Sequence, residues 1–190
     1  MQATQKHAGK AGMGWGRFAA MIATSTVIMF PLMYQLVYRA DHLTFSVTRL
    51  LSALIMGAVM TIVMLGFMWS MYEGTRTKIA VMAGAALLGC VLFLLNRSQA
   101  LIDDTAFMQA MIPHHSIAIN NARKARIHDP RVRELADQII SSQVREIREM
   151  ELLVEDIERD GRLGERVLPA RAAVITPEME REVQAAVRRD

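Results

Sequence analysis

The residue pattern predicts an all-α protein: three transmembrane helices, then an antiparallel helical hairpin outside the membrane, then a short C-terminal helix. Three observations carry this expectation. Three long apolar runs lie before residue 98, joined by short polar linkers, and each is long enough to cross a hydrocarbon core. Charge is then distributed abruptly: residues 1–102 hold eight Lys/Arg and two Asp/Glu, whereas residues 103–160 hold eight and twelve. Lastly, the stretch from Pro130 to Asp160 repeats its apolar residues at helical spacing.

A hydrophobic content of 52% and a mean hydropathy of +0.20 agree with membrane segments. The formal charge is +3, and the basic excess belongs to the apolar half, where it sets topology. No basic stripe interleaved with aromatics occurs, so no nucleic-acid partner is expected. The single cysteine, Cys90, sits in an apolar run and has no intrachain disulfide partner.

Residues 1–17 form a polar, Gly-rich, basic head with Lys6, Lys10 and Arg17. Residues 18–96 form the three-helix anchor. Its first run, Phe18 to Tyr38, ends in Tyr34, Tyr38 and Arg39 where a signal peptide would place small residues, so it reads as an uncleaved span. Pro31 is expected to kink it. A short polar loop, Arg39 to Ser46, leads to a second span, Val47 to Met71. The third, Ile79 to Leu95, has Ala80, Gly84, Ala85 and Gly89 at the spacing that lets helix backbones approach. The head and second linker carry Lys6, Lys10, Arg17, Arg76 and Lys78, against Arg39, Arg49 and Arg97 on the other side. The positive-inside rule then puts the N-terminus in the cytoplasm and everything after Arg97 outside. In a bacterial cell that means a multi-pass inner-membrane protein with a periplasmic C-terminal domain.

Met56, Met60, Met64 and Met68 repeat every four residues along the second span. The row reads first as a packing or lipid-facing stripe, since Met is apolar and helix-compatible. A ladder of soft donors for a metal crossing the bilayer is the functional alternative.

Residues 103–160 form the hairpin. Asp103 and Asp104 offer an N-cap or first-turn charge for a helix reaching about Ile127, with Pro113 bending it. His128-Asp129-Pro130 reads as a turn in which Asp129 caps the next helix and Pro130 takes its first position. That helix runs to Asp160 with an apolar stripe of Val132, Leu135, Ile139, Met150, Leu153, Val154 and Ile157. Gln143 and Glu146 interrupt the stripe and need partners. Residues 161–190 are a linker and a short helix started by Thr176-Pro177-Glu178.

The candidate site lies in Phe107-Met108-Gln109-Ala110-Met111-Ile112-Pro113-His114-His115. Helical spacing puts Met108, Met111 and His115 on one side with His114 beside them, and Asp104 shares that side. Thioether plus imidazole is a donor set for soft or borderline ions, copper above all. With the hairpin symmetrical about residue 129, His115 is expected to face Gln143, Met111 to face Glu146 and Ile147, and Met108 to face Met150. The metal-ligand candidates are thus Met108, Met111, His114, His115 and Met150, with Asp104, Gln143 and Glu146 as supporting or alternative ligands; no catalytic residue is expected.

The segments Phe107-Met108-x-x-Met111-Ile112-Pro113-His114-His115-x-x-Ala118-Ile119 and Leu135-Ala136-x-x-Ile139-x-x-x-Gln143-x-x-Glu146-Ile147-x-x-Met150 resemble the domain-of-unknown-function 305 family. The resemblance covers under a third of the chain. It implies a ferritin-like hairpin and an extracytoplasmic copper binder using Met and His. This chain has Ile117 and Asn121 where family members often carry further Met, which implies a site poorer in thioethers. Thr176-Pro177-Glu178-Met179 resembles the opening of a second tandem repeat.

The expected function is therefore a membrane-anchored, extracytoplasmic protein of copper homeostasis, not an enzyme, binding Cu(I) between two helices. A lone hairpin cannot enclose a core, so a four-helix homo-oligomer is expected, with an extracytoplasmic metal donor or acceptor protein as partner. Two readings from other classes stand beside it. One is a structural or assembly protein whose buried polar residues fix helix pairing. The other is a di-iron oxidase, which needs several inward Glu residues and Glu-x-x-His pairs; no Glu-x-x-His occurs here.

Overall fold

The structure is a computed structural model that describes residues 14–188, so Lys6 and Lys10 of the basic head lie outside the described residues. Every regular element among the described residues is helical: α1 (Trp15–Leu32), α2 (Val47–Phe67), α3 (Thr75–Ser98), α4 (Asp104–Lys124), α5 (Pro130–Asp160) and α6 (Pro177–Val187). α1, α2 and α3 are each long and apolar enough to cross a membrane. The chain divides into two compact units. Residues 1–35 and 46–103 make one; residues 36–45 and 104–190 make the other.

In the first unit α2 packs against both α1 and α3. Small residues set the approach. A Cβ on Gly57 of α2 would stand 2.5 Å from Thr26 Oγ1 of α1, and one on Gly89 of α3 would stand 3.4 Å from the Ala58 Cβ of α2. Of the two glycines in the expected small-residue stripe of α3, only Gly89 is a close approach, because a Cβ on Gly84 would meet open space. Hydroxyls that would be orphaned in lipid bond back along their own helices, as Thr26 does to the Ile22 carbonyl (2.9 Å) and Thr61 to that of Gly57 (2.9 Å). α1 ends at Leu32, six residues short of the expected limit at Tyr38. Pro31 falls in its last turn, and a tight turn through Tyr34 and Gln35 follows. Proline thus closes this helix where a mid-span kink was expected.

α3 and α4 are separate helices. Gln99 adopts a left-handed conformation (φ 55°) after Ser98, and α4 opens at Asp104 with its carboxylate in the first turn. α4 then runs unbroken through Pro113 to Lys124. Asp129 caps α5 by accepting the Arg131 N–H at 2.9 Å, and Pro130 takes the first helical position, which needs no N–H. Two further bonds from the Arg131 guanidinium hold the Asp129 carboxyl down at about 2. α5 stops at Gly161, whose φ of +83° is open to glycine at little cost. Thr176 caps α6 through the Met179 N–H, and α6 has no buried residue.

α4 and α5 pack side by side over a core of Met108, Ile112, Ile119, Ile147 and Met150, with Met111, Val154 and Ile157 against it. A second layer comes from the chain itself. Residues 36–45, the link between α1 and α2, belong to this unit and lie on α4. The expected apolar stripe of α5 is therefore only partly buried: Val132, Leu135, Ile139 and Leu153 remain exposed.

Candidate metal site

His115 stands at the edge of the α4–α5 core with 12% of its side chain exposed. Its Nδ1 lies 2.9 Å from the Met111 carbonyl, one turn back on α4. A carbonyl only accepts, so Nδ1 carries the hydrogen and Nε2 is the nitrogen left for other partners. Nε2 meets the Glu146 carboxylate of α5 at 2.8 Å. Both ring nitrogens thus face oxygen atoms.

Glu146 is itself held on both sides. Ser142 donates to its Oε1 (2.8 Å), and Gln143 Nε2 donates to its Oε2 (3.3 Å). The Ser142 bond is the main reason that its carboxyl ionises below the usual range, with His115 adding to it and partial burial opposing. The two polar interruptions of the α5 stripe therefore serve one imidazole.

The partner of His115 differs from expectation by three residues, since Nε2 meets Glu146 where Gln143 was expected to face it. The reason lies in side-chain direction. Side chains lean toward the N-terminus of their own helix, so in an antiparallel pair Glu146 leans toward the turn and His115 away from it. The two meet although their Cα positions are offset. Gln143 comes in behind the carboxylate.

The thioethers occupy two settings. Met108 and Met150 are buried in one core cluster, and Met111 lies partly buried against that cluster beside His115. His114 is exposed, its ring centroid 6.0 Å from that of His115. Asp104 is not brought in: it sits eleven residues before His115, roughly 16 Å along the helix by its rise. Its carboxylate lies 3.9 Å from Arg162 instead. Among the described residues no group of three or more His, Cys, Asp or Glu gathers as a metal site. One imidazole with thioethers from two helices fits a soft ion in donor type.

Sequence reasoning missed what lies on the next face of α4. Ser116 is fully buried and accepts the Tyr38 N–H at 2.9 Å, while its Oγ stands 2.9 Å from Nδ1 of buried His42. Thr44 Oγ1 donates to the Gln109 carbonyl (2.6 Å), and the Arg123 guanidinium lies 4.8 Å over the Tyr38 ring. The available signal was Ser116 and Asn120, one turn apart on α4, together with a histidine in the short loop between two apolar spans.

Residues 102–187 match the family described as Domain of unknown function (DUF305). The chain is also 45% identical over 62 residues to the "Uncharacterized protein L153" of Acanthamoeba polyphaga mimivirus, a stretch covering 32% of this chain and 41% of that protein. The chain thus matches less than half the length of this relative. No solved structure matches it.

Proposed function

We propose, from the premise that residues 102–187 are a DUF305 domain, that this membrane protein handles copper, holding Cu(I) at the edge of the α4–α5 core. The observation that carries the reading is His115: a mostly buried imidazole whose Nε2 meets a carboxylate at the edge of a thioether-bearing core. Nε2 would be the nitrogen donor, fixed in direction by the Nδ1 bond to Met111. Met111, Met108 and Met150 would supply sulfur, and exposed His114 would pass the ion in from solvent. Any hydrogen on Nε2 would leave to solvent, because the Glu146 carboxyl ionises below its usual range and would not keep it, so binding strengthens as pH rises. Thioethers resist the oxidation that threatens thiols outside the cytoplasm.

The same reading places the hairpin outside the cytoplasm in the inner membrane, with the N-terminus inside. Residues 36–45 packing on α4 agrees with both segments emerging on one side of the bilayer across three spans, and the Lys/Arg counts of the linkers assign that side to the exterior. Exposed Leu135, Ile139 and Leu153 beside Glu146 are the surface we assign to a second copy in a ferritin-like four-helix arrangement. A donor or acceptor protein would meet the site at His114.

The test is anaerobic Cu(I) titration of the full chain in detergent against a competing chelator. Met108→Leu/Met150→Leu conserves volume, so each change should cost less than about 1.5 kcal/mol of stability. Cu(I) affinity is expected to fall at least about tenfold, a change of roughly 1.4 kcal/mol. Unchanged affinity would make these sulfurs mere packing and leave His115–Glu146 as a lock between two helices.

A further inference from the structure

The Met row of α2 divides in the structure. Met56 is exposed, whereas Met64 and Met68 pack, with Met21 of α1 and Met82 of α3, against buried Phe18, Leu65 and Tyr72. Four thioethers from three helices thus converge on one cluster at the end of the bundle where α1 begins. The cluster is also aromatic. Trp15 and Phe18 stand with their ring centroids 5.0 and 5.3 Å from that of Tyr72. Leucine would fill such space as well as methionine, and Leu65 does so in the centre. Sulfur against aromatic rings is favourable in itself, which accounts for one or two such contacts. It leaves the Tyr72 hydroxyl unexplained: that oxygen is buried in the same cluster and has no hydrogen-bond partner among the described residues, a state that costs free energy in any packed interior.

We propose that this cluster is a second soft-ion site, in the membrane unit, taking one monovalent cation such as Cu(I) or Ag(I) on the sulfurs of Met21, Met64, Met68 and Met82. It is independent of the hairpin site. The donors are neutral, and the Lys78 ammonium lies nearby on the Tyr72 carbonyl (3.2 Å), so a divalent ion is disfavoured. A single charge is accommodated by polarisable sulfur, by the aromatic faces and by the phenol oxygen of Tyr72. Binding gives that oxygen the electrostatic partner it lacks. The full four-residue ladder through the bilayer is not part of the proposal, because Met56 points away from the cluster's packing.

The experiment uses the full chain in detergent with Ag(I) as a redox-inert probe, in a Met111→Leu/His115→Ala background that disables the hairpin site. Tryptophan fluorescence reports locally, since Trp15 is in the cluster. Expected is one Ag(I) retained per chain through gel filtration, with quenching of tryptophan emission. Met64→Leu/Met68→Leu should weaken retention at least about tenfold and abolish the quenching, while Met56→Leu changes neither. If the double variant loses helicity, Met82→Leu alone on α3 gives the same reading from another helix. Ag(I) retention unchanged in Met64→Leu/Met68→Leu or in Met82→Leu, or no ion retained in the background protein, would overturn the proposal.

Discussion

Two histidines meet α4 on different faces, and the same side chain does different work on each. His42 is buried and pairs with a buried hydroxyl, on Ser116, that also takes the Tyr38 N–H. Among the described residues its one ion-pair candidate is exposed Asp41, 4.0 Å away on its own loop. His115 is nearly as enclosed, with 12% of its side chain exposed against 9%, but it pairs with an ionised carboxylate on another helix at the edge of a methionine-bearing core. A neutral, enclosed partner makes a histidine a clamp. A charged partner beside thioethers makes it a place where a cation can be held.

The clamp gives the largest expected stability effect. Ser116→Ala leaves the Tyr38 N–H and His42 Nδ1 without their shared partner, at a cost of about 1–3 kcal/mol for an orphaned buried group. Thermal unfolding of the full chain in detergent should show the loss, with Cu(I) affinity within about twofold of the parent; a tenfold loss of affinity would merge the two faces into one site.

The next effect belongs to the other face. Glu146→Gln keeps the size and hydrogen-bonding reach of the side chain but removes the negative charge beside Nε2. Cu(I) affinity should fall severalfold in the variant, which no longer holds that charge near the cation. An affinity equal to the parent's would show that the charge of Glu146 takes no part in binding.

These two faces were unequally legible in the sequence. Periodicity and capping chemistry are local, so α4 and α5, the Asp129-Pro130 start and the Thr176 cap all follow from neighbouring residues. The gathering of Met108, Met111, His115 and Glu146 followed from helical spacing plus an assumed antiparallel turn. It missed the exact partner of His115 because Cα register ignores the lean of side chains. The His42–Ser116 contact spans 74 positions, and nothing local at His42 foretells it. The same limit explains α3, where small residues permit close packing at Gly89 but do not compel it at Gly84.

The smallest effect is expected at the turn joining the two helices. The folded Asp129 carboxyl sits near 2 against an ordinary 3.8, so its contribution is complete above the ordinary value and is lost as pH falls from 3.8 through 2. Asp129→Asn retains a capping oxygen without the charge. Helicity followed by circular dichroism should therefore fall less steeply across that interval in the variant; identical curves would mean that the carboxylate adds nothing beyond its cap.

The central claim is that one histidine clamps and the other binds. Measuring Cu(I) affinity and thermal stability together in His42→Ala and His115→Ala, in the full chain, tests it directly. The account predicts a crossed result: His42→Ala lowers the unfolding temperature and leaves affinity nearly unchanged, whereas His115→Ala lowers affinity at least about tenfold and leaves helicity intact, Ala being the better helix former. Two variants that lose stability alike while keeping the parent's affinity would contradict it and make both histidines structural.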